Sequence, residues 1–261
     1  MEKLRKGIRR RSVASTLVRI ASVIVFLLLW EAAVRANVRW PLQFGNLPGP
    51  IDIVSTWWSY LGRKQYYMDI GISTARVLTG IVLGFLTAVP LGLWIGLKGA
   101  ARDALFPSLE LFRPIPLIAF LPVTMLLFPT IESSIIFITF IGAFFPILIN
   151  AKDAAGRVSP VLVQAAQCLG CGPVRAIWKV YLPAMSPELF TGLAVGTGAS
   201  WMGVITGEMM SGQTGIGYTT WQAYHLLDYR QSIIGMFTIG ALGFGSSVLV
   251  RSGERLLVRW K

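Results

Sequence analysis

The sequence predicts an all-α integral membrane protein with six transmembrane helices and both termini in the cytoplasm. Of its 261 residues, 54% are hydrophobic and only 14% are charged, a profile typical of polytopic membrane proteins. The net charge of +12 would suggest nucleic-acid binding in a soluble domain. Here the charges lie between long apolar runs, so they indicate membrane topology, and no nucleic-acid partner is predicted.

The N-terminal part of the chain predicts a basic cytoplasmic segment, 1–15, followed by a first transmembrane helix, 16–36. Six lysines and arginines lie in the first segment, and the apolar run that follows it ends at Trp30. A secretory signal peptide is the alternative. The run is long, and the next six residues, EAAVRA, offer no small-x-small cleavage site, so a retained helix is favoured.

Residues 37–69 predict a segment that lies at the outer membrane interface. The segment is too polar for the lipid interior, and it carries aromatic side chains of the kind that gather at this depth. These are Trp40, Trp57, Trp58, Tyr60, Tyr66 and Tyr67. The sequence Leu-Pro-Gly-Pro at 47–50 predicts a turn, and residues 51–61 then predict an amphipathic helix opened by a proline.

Residues 70–251 are the predicted transmembrane core, and residues 252–261 a cytoplasmic C-terminus. Further spans are predicted at 70–97, 105–128, 135–150, 189–210 and 231–250. The span at 105–128 contains four prolines, so we expect it to be distorted, with an interfacial helix before it. A cytoplasmic loop is predicted at 151–186 and an outer loop at 211–230.

The lysines and arginines support this topology. Seventeen lie on the predicted cytoplasmic side and five on the outer side. Because cytoplasmic loops are enriched in these residues, the bias favours six spans with both ends inside.

Glycines at four-residue spacing predict close contacts between spans, because small residues let helices approach each other. The glycines expected to face other helices rather than lipid are Gly80, Gly84, Gly192 and Gly196. Gly92 and Gly96 have the same spacing, and Gly198 is expected to share the close-packing face of Gly192 and Gly196.

Three charged residues lie within or beside predicted spans, where a charge is costly unless it is paired or hydrated. Arg76 lies near the outer end of the second span, Arg113 at the inner mouth of the third, and Glu208 near the outer end of the fifth. One interpretation is a hydrated translocation path whose arginines attract an anion. The alternative is that the arginines extend to the interface or pair with Glu208 and Glu110.

Sequence motifs for catalysis or cofactor binding are not found. The chain has no G-x-x-x-x-G-K-[ST] sequence, so it cannot hold ATP in the usual phosphate-binding loop, and any ATP would have to bind another subunit. Cys168 and Cys171 have C-x-x-C spacing, but zinc needs four ligands, and the single histidine, His225, is predicted on the opposite side of the membrane. Chance spacing is therefore favoured, and no metal site is predicted.

The cytoplasmic loop contains the most specific pattern in the chain. Residues 164–166 favour a helix, Gly170 and Gly172-Pro173 interrupt it, and residues 174–181 can form a second short helix. We expect Leu182-Pro183 to stop that helix. Such a helical hairpin, flanked by basic residues, is suited to a soluble partner.

The loop resembles the EAA loop of bacterial ABC importer permeases, Glu-Ala-Ala-x3-Gly-x9-Ile-x-Leu-Pro. The corresponding residues are Gln164, Ala165, Ala166, Gly170, Val180, Leu182 and Pro183. Gln164 replaces the usual glutamate and removes a charge, whereas Val180 replaces isoleucine and stays β-branched. In that family the loop inserts into the cytoplasmic ATPase, so the resemblance implies an ATPase-coupling role for these residues.

Shorter motifs resemble the nitrate, sulfonate, taurine and bicarbonate group of these permeases. They are the sequences STAR at 73–76, LFRPIP at 111–116, FP at 145–146, GE at 207–208 and GIG at 215–217. The resemblance implies a six-span type I importer fold in a bacterial inner membrane, with a second permease copy in a homodimer. It also implies ATPase subunits that hold ATP and Mg, and an external substrate-binding protein.

The resemblance implies import of a small anion such as a sulfonate, taurine, nitrate or bicarbonate, with no bond chemistry on this chain. A stand-alone secondary transporter or channel is the alternative function, and it would need no ATPase. An integral membrane enzyme is a third possibility, for which the sequence offers no nucleophile, metal cluster or acid–base pair.

Overall fold

The computed structural model describes residues 2–37 and 47–258, with side chains described from Val18 onward except that of Ile20. The predicted interfacial Trp40 and the basic residues Arg259 and Lys261 lie outside this range. The chain divides into two compact units, residues 1–63 with 223–234 and residues 64–222 with 235–261. The helices are α1 (Glu2–Arg35), α2 (Pro50–Tyr60), α3 (Lys64–Leu97), α4 (Gly99–Phe112), α5 (Leu117–Leu127), α6 (Ile131–Arg157), α7 (Pro160–Cys168), α8 (Pro173–Ala176), α9 (Leu182–Ser211), α10 (Ile216–His225) and α11 (Tyr229–Leu257).

The first unit confirms the helix predicted at 51–61, which is α2. This helix starts at Pro50, where the missing N–H of proline costs nothing because the first turn has no intrahelical acceptor for it. Its buried face contributes Ile53 and Tyr60 to a small apolar core with Ile234. The hydroxyl of Tyr60 donates to Gln231 Oε1 at 2.7 Å.

The second unit is built on three long helices, α3, α6 and α9, that pack through small residues. Contact positions on α3 and α6 increase together, since Gly80 lies against Thr139 and Gly96 against Ala155. The two helices are therefore parallel. Contact positions on α6 and α9 run in opposite senses, with Gly203 against Ile138 and Gly192 against Asn150, so α9 is antiparallel to α6.

The four glycines expected to face other helices lie in tight contact with them. A Cβ built on Gly80 would be 2.6 Å from Thr139 Cγ2, and one on Gly84 would be 2.8 Å from Ala143 Cβ. The Cβ of a residue at 192 would be 2.8 Å from the Cβ of Asn150, and at 196 it would be 3.1 Å from the carbonyl oxygen of Ala143. Gly198 differs, because a Cβ there has no described atom within 4 Å, so its expected packing role is wrong within the chain.

Four continuous helical stretches in the described residues are long and apolar enough to cross a membrane. They are Lys64–Leu97, Ile131–Arg157, Pro173–Ser211 and Tyr229–Leu257. Each extends beyond the predicted limits of its span. The first predicted span falls within α1, whose side chains are described only in part, so the count of six spans and the side of each terminus remain predictions.

A fifth candidate crossing is the pair α4 and α5, which together are long and apolar enough to cross a membrane and are bent by 101° relative to each other. The break lies at Pro114 and Pro116, because a residue before proline avoids the helical region. Since α3 and α6 are parallel, the chain between them has to return along the bundle. This confirms the predicted distortion of the segment 105–128. The helix α10, in contrast, lies within residues 211–230, which were predicted to be a loop.

Candidate functional site

Arg76 of α3 lies between two glutamates from different helices. Its side chain is only 4% exposed. Nη1 donates to Glu208 Oε1 at 2.8 Å and to the carbonyl oxygen of Thr214 at 2.6 Å. Nε and Nη2 donate to Oε1 and Oε2 of Glu132 at 2.8 and 2.5 Å. The buried charge is therefore paired on two edges of the guanidinium group, which offsets the cost of removing it from water.

Glu208 of α9 also fixes the start of α10. Its carboxylate is fully buried and accepts from Ser73 Oγ at 2.7 Å and from the backbone N–H of Gly217 at 2.9 Å. A second N–H at the start of α10, that of Ile216, donates to Ser73 Oγ at 3.0 Å. A carboxylate at a helix N-terminus satisfies free N–H groups and interacts favourably with the helix dipole.

The approach of the chain to Glu208 requires a glycine at position 215. Its φ of 148° lies in a region that side chains rarely adopt, and a Cβ there would overlap the Glu208 carboxylate. The sequence GIG at 215–217 is therefore explained by contact with Glu208.

The structure distinguishes between the two interpretations of the charged residues in one respect. Arg76 pairs with Glu208, as the second interpretation expected. Arg113 is 4.0 Å from Glu110, and both side chains are more than half exposed, so this pair contributes little. The role of these residues in a translocation path is untested and remains a prediction.

Glu132 was missed in the sequence, because it falls between the spans predicted at 105–128 and 135–150. It lies in the first turn of α6, where Thr130 is the N-cap and accepts from the backbone N–H of Ser133 at 3.2 Å. A threonine cap followed by an acidic residue is a known helix-start signal and was the available clue.

A separate cavity of about 350 Å³ lies between the α4–α5 bend and the helices α6 and α9. Its wall is largely apolar, with Ile115 and Phe145 among its members, and the polar side chains that line it are Arg113 and Asn150. The amide of Asn150 donates to the carbonyl oxygen of Pro146 at 2.8 Å. Arg113 is thus brought to this cavity, whereas Arg76 and Glu208 are not among its lining residues.

At the opposite end of the second unit from Arg76, residues 160–183 connect α6 to α9. We call them the interhelical segment. The predicted helix–turn–helix is confirmed, with α7 and α8 on either side of Gly170. Gly170 has a φ of +75°, which ends α7 in the left-handed conformation that glycine adopts readily. The N–H of Gly170 bonds to the carbonyl oxygen of Gln167 at 2.9 Å and so closes the turn.

The prediction that Leu182-Pro183 stops the second helix is wrong. The residues Ile177–Tyr181 form a π-helical turn, and α9 continues from it without a break. The wider turn changes the hydrogen-bond register just before Pro183, whose ring nitrogen has no hydrogen to donate. One continuous helix therefore runs from Pro173 to Ser211.

The interhelical segment exposes several large apolar side chains. The exposed fractions are 88% for Leu169 and 69% for Val174 and Trp178. Gln164, Arg175 and Lys179 are exposed as well. Large apolar side chains grouped on one segment of this kind are typical of a contact with another protein or with a membrane.

The segment contains no recognisable metal centre among the described residues. Cys168 and Cys171 are both free thiols. Across the described part of the chain, no group of three or more histidine, cysteine, aspartate or glutamate side chains could hold a metal ion.

Together, the fold and the site define a polytopic helical membrane protein with a buried charge cluster at one end of its bundle and an exposed helical segment at the other. The family model for the binding-protein-dependent transport system inner membrane component matches residues 80–260. The chain belongs to this family. It is a membrane permease of an ABC importer, in which ATP hydrolysis takes place on a separate subunit.

Similar proteins extend over nearly the whole chain. An ABC transporter permease protein of Methanocaldococcus jannaschii is 34% identical over 242 residues, which cover 92% of this chain and 90% of that protein. The taurine transport system permease protein TauC of Escherichia coli K12 is 28% identical, covering 92% and 88%. The nitrate import permease protein NrtB of Synechocystis is 29% identical, covering 91% and 87%. The alternatives of a stand-alone transporter, a channel or an enzyme are thereby set aside.

Proposed function

We propose that this permease moves a small anion, of the sulfonate or nitrate class, from an external binding protein into the cytoplasm. The observation that carries the proposal is the similarity to permeases named for taurine and for nitrate over about nine-tenths of the chain. The partners are ABC ATPase subunits, which hold ATP and Mg, a binding protein and a second copy of the permease in a homodimer. The location is the bacterial inner membrane.

The topology of the proposal has six spans with both termini in the cytoplasm. It rests on the predicted first span at 16–36 and on the excess of lysine and arginine on one side. In this orientation the interhelical segment faces the cytoplasm, and the cluster of Arg76, Glu132 and Glu208 lies at the outer end of the bundle.

The interhelical segment is the proposed contact with the ATPase, through the matched residues from Gln164 to Pro183. The exposed side chains of Leu169 and Trp178 supply apolar surface for a cleft in the partner. Because one helix runs from Pro173 to Ser211, a displacement of the segment is transmitted directly into the membrane. ATP binding would change the contacts between the ATPase and the interhelical segment. Those contacts would differ between the outward-open and inward-open states of the bundle, so ATP would favour one state over the other.

The cavity near the α4–α5 bend is the proposed passage for the anion. Arg113 supplies the positive charge on the lining, and its exposed guanidinium group is accessible to an anion that enters the cavity. Asn150 adds a polar group on the facing helix. A wall with few polar groups also binds weakly enough to release the solute.

Transport by the reconstituted complex tests this proposal. Proteoliposomes containing the permease, its ATPase and external binding protein are expected to take up labelled taurine or nitrate only when ATP is enclosed. Arg113→Gln is expected to lower the rate, whereas Arg102→Gln, an exposed arginine of α4 that does not line the cavity, is the matched control. Uptake without the ATPase would contradict the mechanism, and uptake of neither anion would contradict the substrate class.

A further inference from the structure

Arg76 is paired with one carboxylate more than its charge requires. Glu208 alone neutralises the guanidinium group, and it is also the acceptor for Ser73 and for the N–H of Gly217. Removing Glu208 would leave buried donors without an acceptor, which is costly. Glu132 is therefore the anion of the cluster that can leave while Arg76 stays paired.

The two carboxylates also differ in their access to solvent. The Glu208 side chain is 0% exposed, whereas that of Glu132 is 49% exposed. In the described part of the chain, both side-chain hydrogen bonds of the Glu132 carboxylate come from Arg76. A half-exposed carboxylate can move into water without a large desolvation cost of its own, but Nε and Nη2 of the buried Arg76 then need another acceptor.

The contact that Glu132 makes has the geometry of oxyanion recognition. Nε and Nη2 of Arg76 each donate to a different oxygen of the same carboxylate, at 2.8 and 2.5 Å. This two-pronged arrangement is how arginine binds planar and tetrahedral oxyanions in general. A carboxylate, sulfonate or nitrate presents two oxygens that fit the same edge.

We propose that the Nε–Nη2 edge of Arg76 is a binding site for a small oxyanion and that Glu132 is a tethered occupant which the transported anion displaces. The inference rests on the proposed anion import and adds an outer binding step to it. When the anion arrives, Glu132 moves into solvent and Glu208 keeps the buried charge neutralised. When the anion leaves, Glu132 returns, so Arg76 keeps a partner on that edge throughout.

Thermal unfolding of the purified permease–ATPase complex in detergent tests this site without any transport step. The melting temperature is measured while the concentration of methanesulfonate or nitrate is raised. The chloride concentration is lowered to the same extent, so that the ionic strength stays constant. If Glu132 occupies the site about nine-tenths of the time, the apparent affinity of the site for the added anion is about tenfold weaker than without it. Glu132→Gln is therefore expected to lower the half-saturating concentration of the anion about tenfold. Glu132→Ser is a second variant at the same half-exposed position if the glutamine variant cannot be purified.

Two further variants locate the effect. Asp52→Asn removes another half-exposed carboxylate that faces an arginine, since Asp52 is 54% exposed and 3.9 Å from Arg230, and it is expected to leave the half-saturating concentration unchanged. Arg76→Lys combined with Glu132→Gln is expected to abolish the gain, because an ammonium group cannot form the two-pronged contact.

Equal half-saturation in the wild type and Glu132→Gln would overturn the proposal and leave Glu132 as a simple counter-charge. An equal decrease in Asp52→Asn would also overturn it, because the cause would then be the overall negative charge. A complex that shows the expected binding but no ATP-dependent uptake would instead contradict the proposed function. Uptake of an anion together with no effect of Glu132→Gln would contradict this inference alone.

Discussion

Replacing Gly92 by alanine should push apart α3 and α6, which pack closely against each other in the second unit. A Cβ at this position would lie 2.6 Å from Ala151 Cβ and 2.8 Å from the carbonyl oxygen of Leu148. Carbon atoms are ordinarily about 3.5–4.0 Å apart in contact. The contacted atoms are backbone atoms of α6 and a Cβ fixed to that backbone, so no side-chain movement can relieve the contact. A separation of α3 and α6 by about 1 Å would restore an ordinary contact distance.

The cost follows from the size of that gap. A gap of about 1 Å forfeits up to about half of the dispersion energy of the atoms concerned, and overpacking of this kind destabilises by about 1–3 kcal/mol. Alanine has a better helix propensity than glycine by about 1 kcal/mol, which masks part of the effect. The control Gly71→Ala removes this ambiguity, because it lies in the same helix and its Cβ would meet no described atom within 4 Å.

The assay is thermal unfolding of the detergent-solubilised complex, with both variants compared with the wild type. Gly71→Ala is expected to melt at or above the wild-type temperature, and Gly92→Ala below it. The difference between the two variants gives the packing term of about 1–3 kcal/mol, since the propensity gain is common to both. Equal melting temperatures for the two variants would refute the close contact between α3 and α6.

Three other predictions concern α9 and the interhelical segment. Gly196→Leu is expected to reduce the monodisperse fraction in size-exclusion chromatography, whereas Gly198→Leu is not, because only the first position faces α6 in the chain. Gly170→Asp is expected to lower co-purification of the ATPase, because a side chain at φ +75° destabilises the turn by roughly 1–2 kcal/mol. The control Gly172→Asp should be tolerated, because φ at that position is −67°. Trp178→Ala should weaken the same co-purification without changing the melting temperature, since its side chain is 69% exposed.

The parts of the fold that depend on local pattern could be predicted from the sequence. Proline breaks the span at 105–128, and proline opens α2, because both effects act through the residue's own ring and its immediate neighbours. Gly170 was identified for the same reason, since a helix that ends in a left-handed residue favours glycine.

The parts that depend on distant residues could not be predicted in the same way. The helix α10 follows a glycine-rich stretch that resembles a loop, and its start is fixed by Glu208 from another helix. Glu132 reaches Arg76 only because α3 and α6 are parallel. The π-helical turn before Pro183 overrides the usual effect of proline, and no local residue pattern announces it.

The two partners of Arg76 are synthesised well after it during translation. Arg76 is made 56 residues before Glu132 and 132 residues before Glu208. At about 5–20 residues per second, the second interval lasts roughly 7–26 s. For that time Arg76 lacks its fully buried partner, and only Glu132, which is made earlier, can pair with it. The final set of contacts around Arg76 therefore cannot form before α9 has been synthesised.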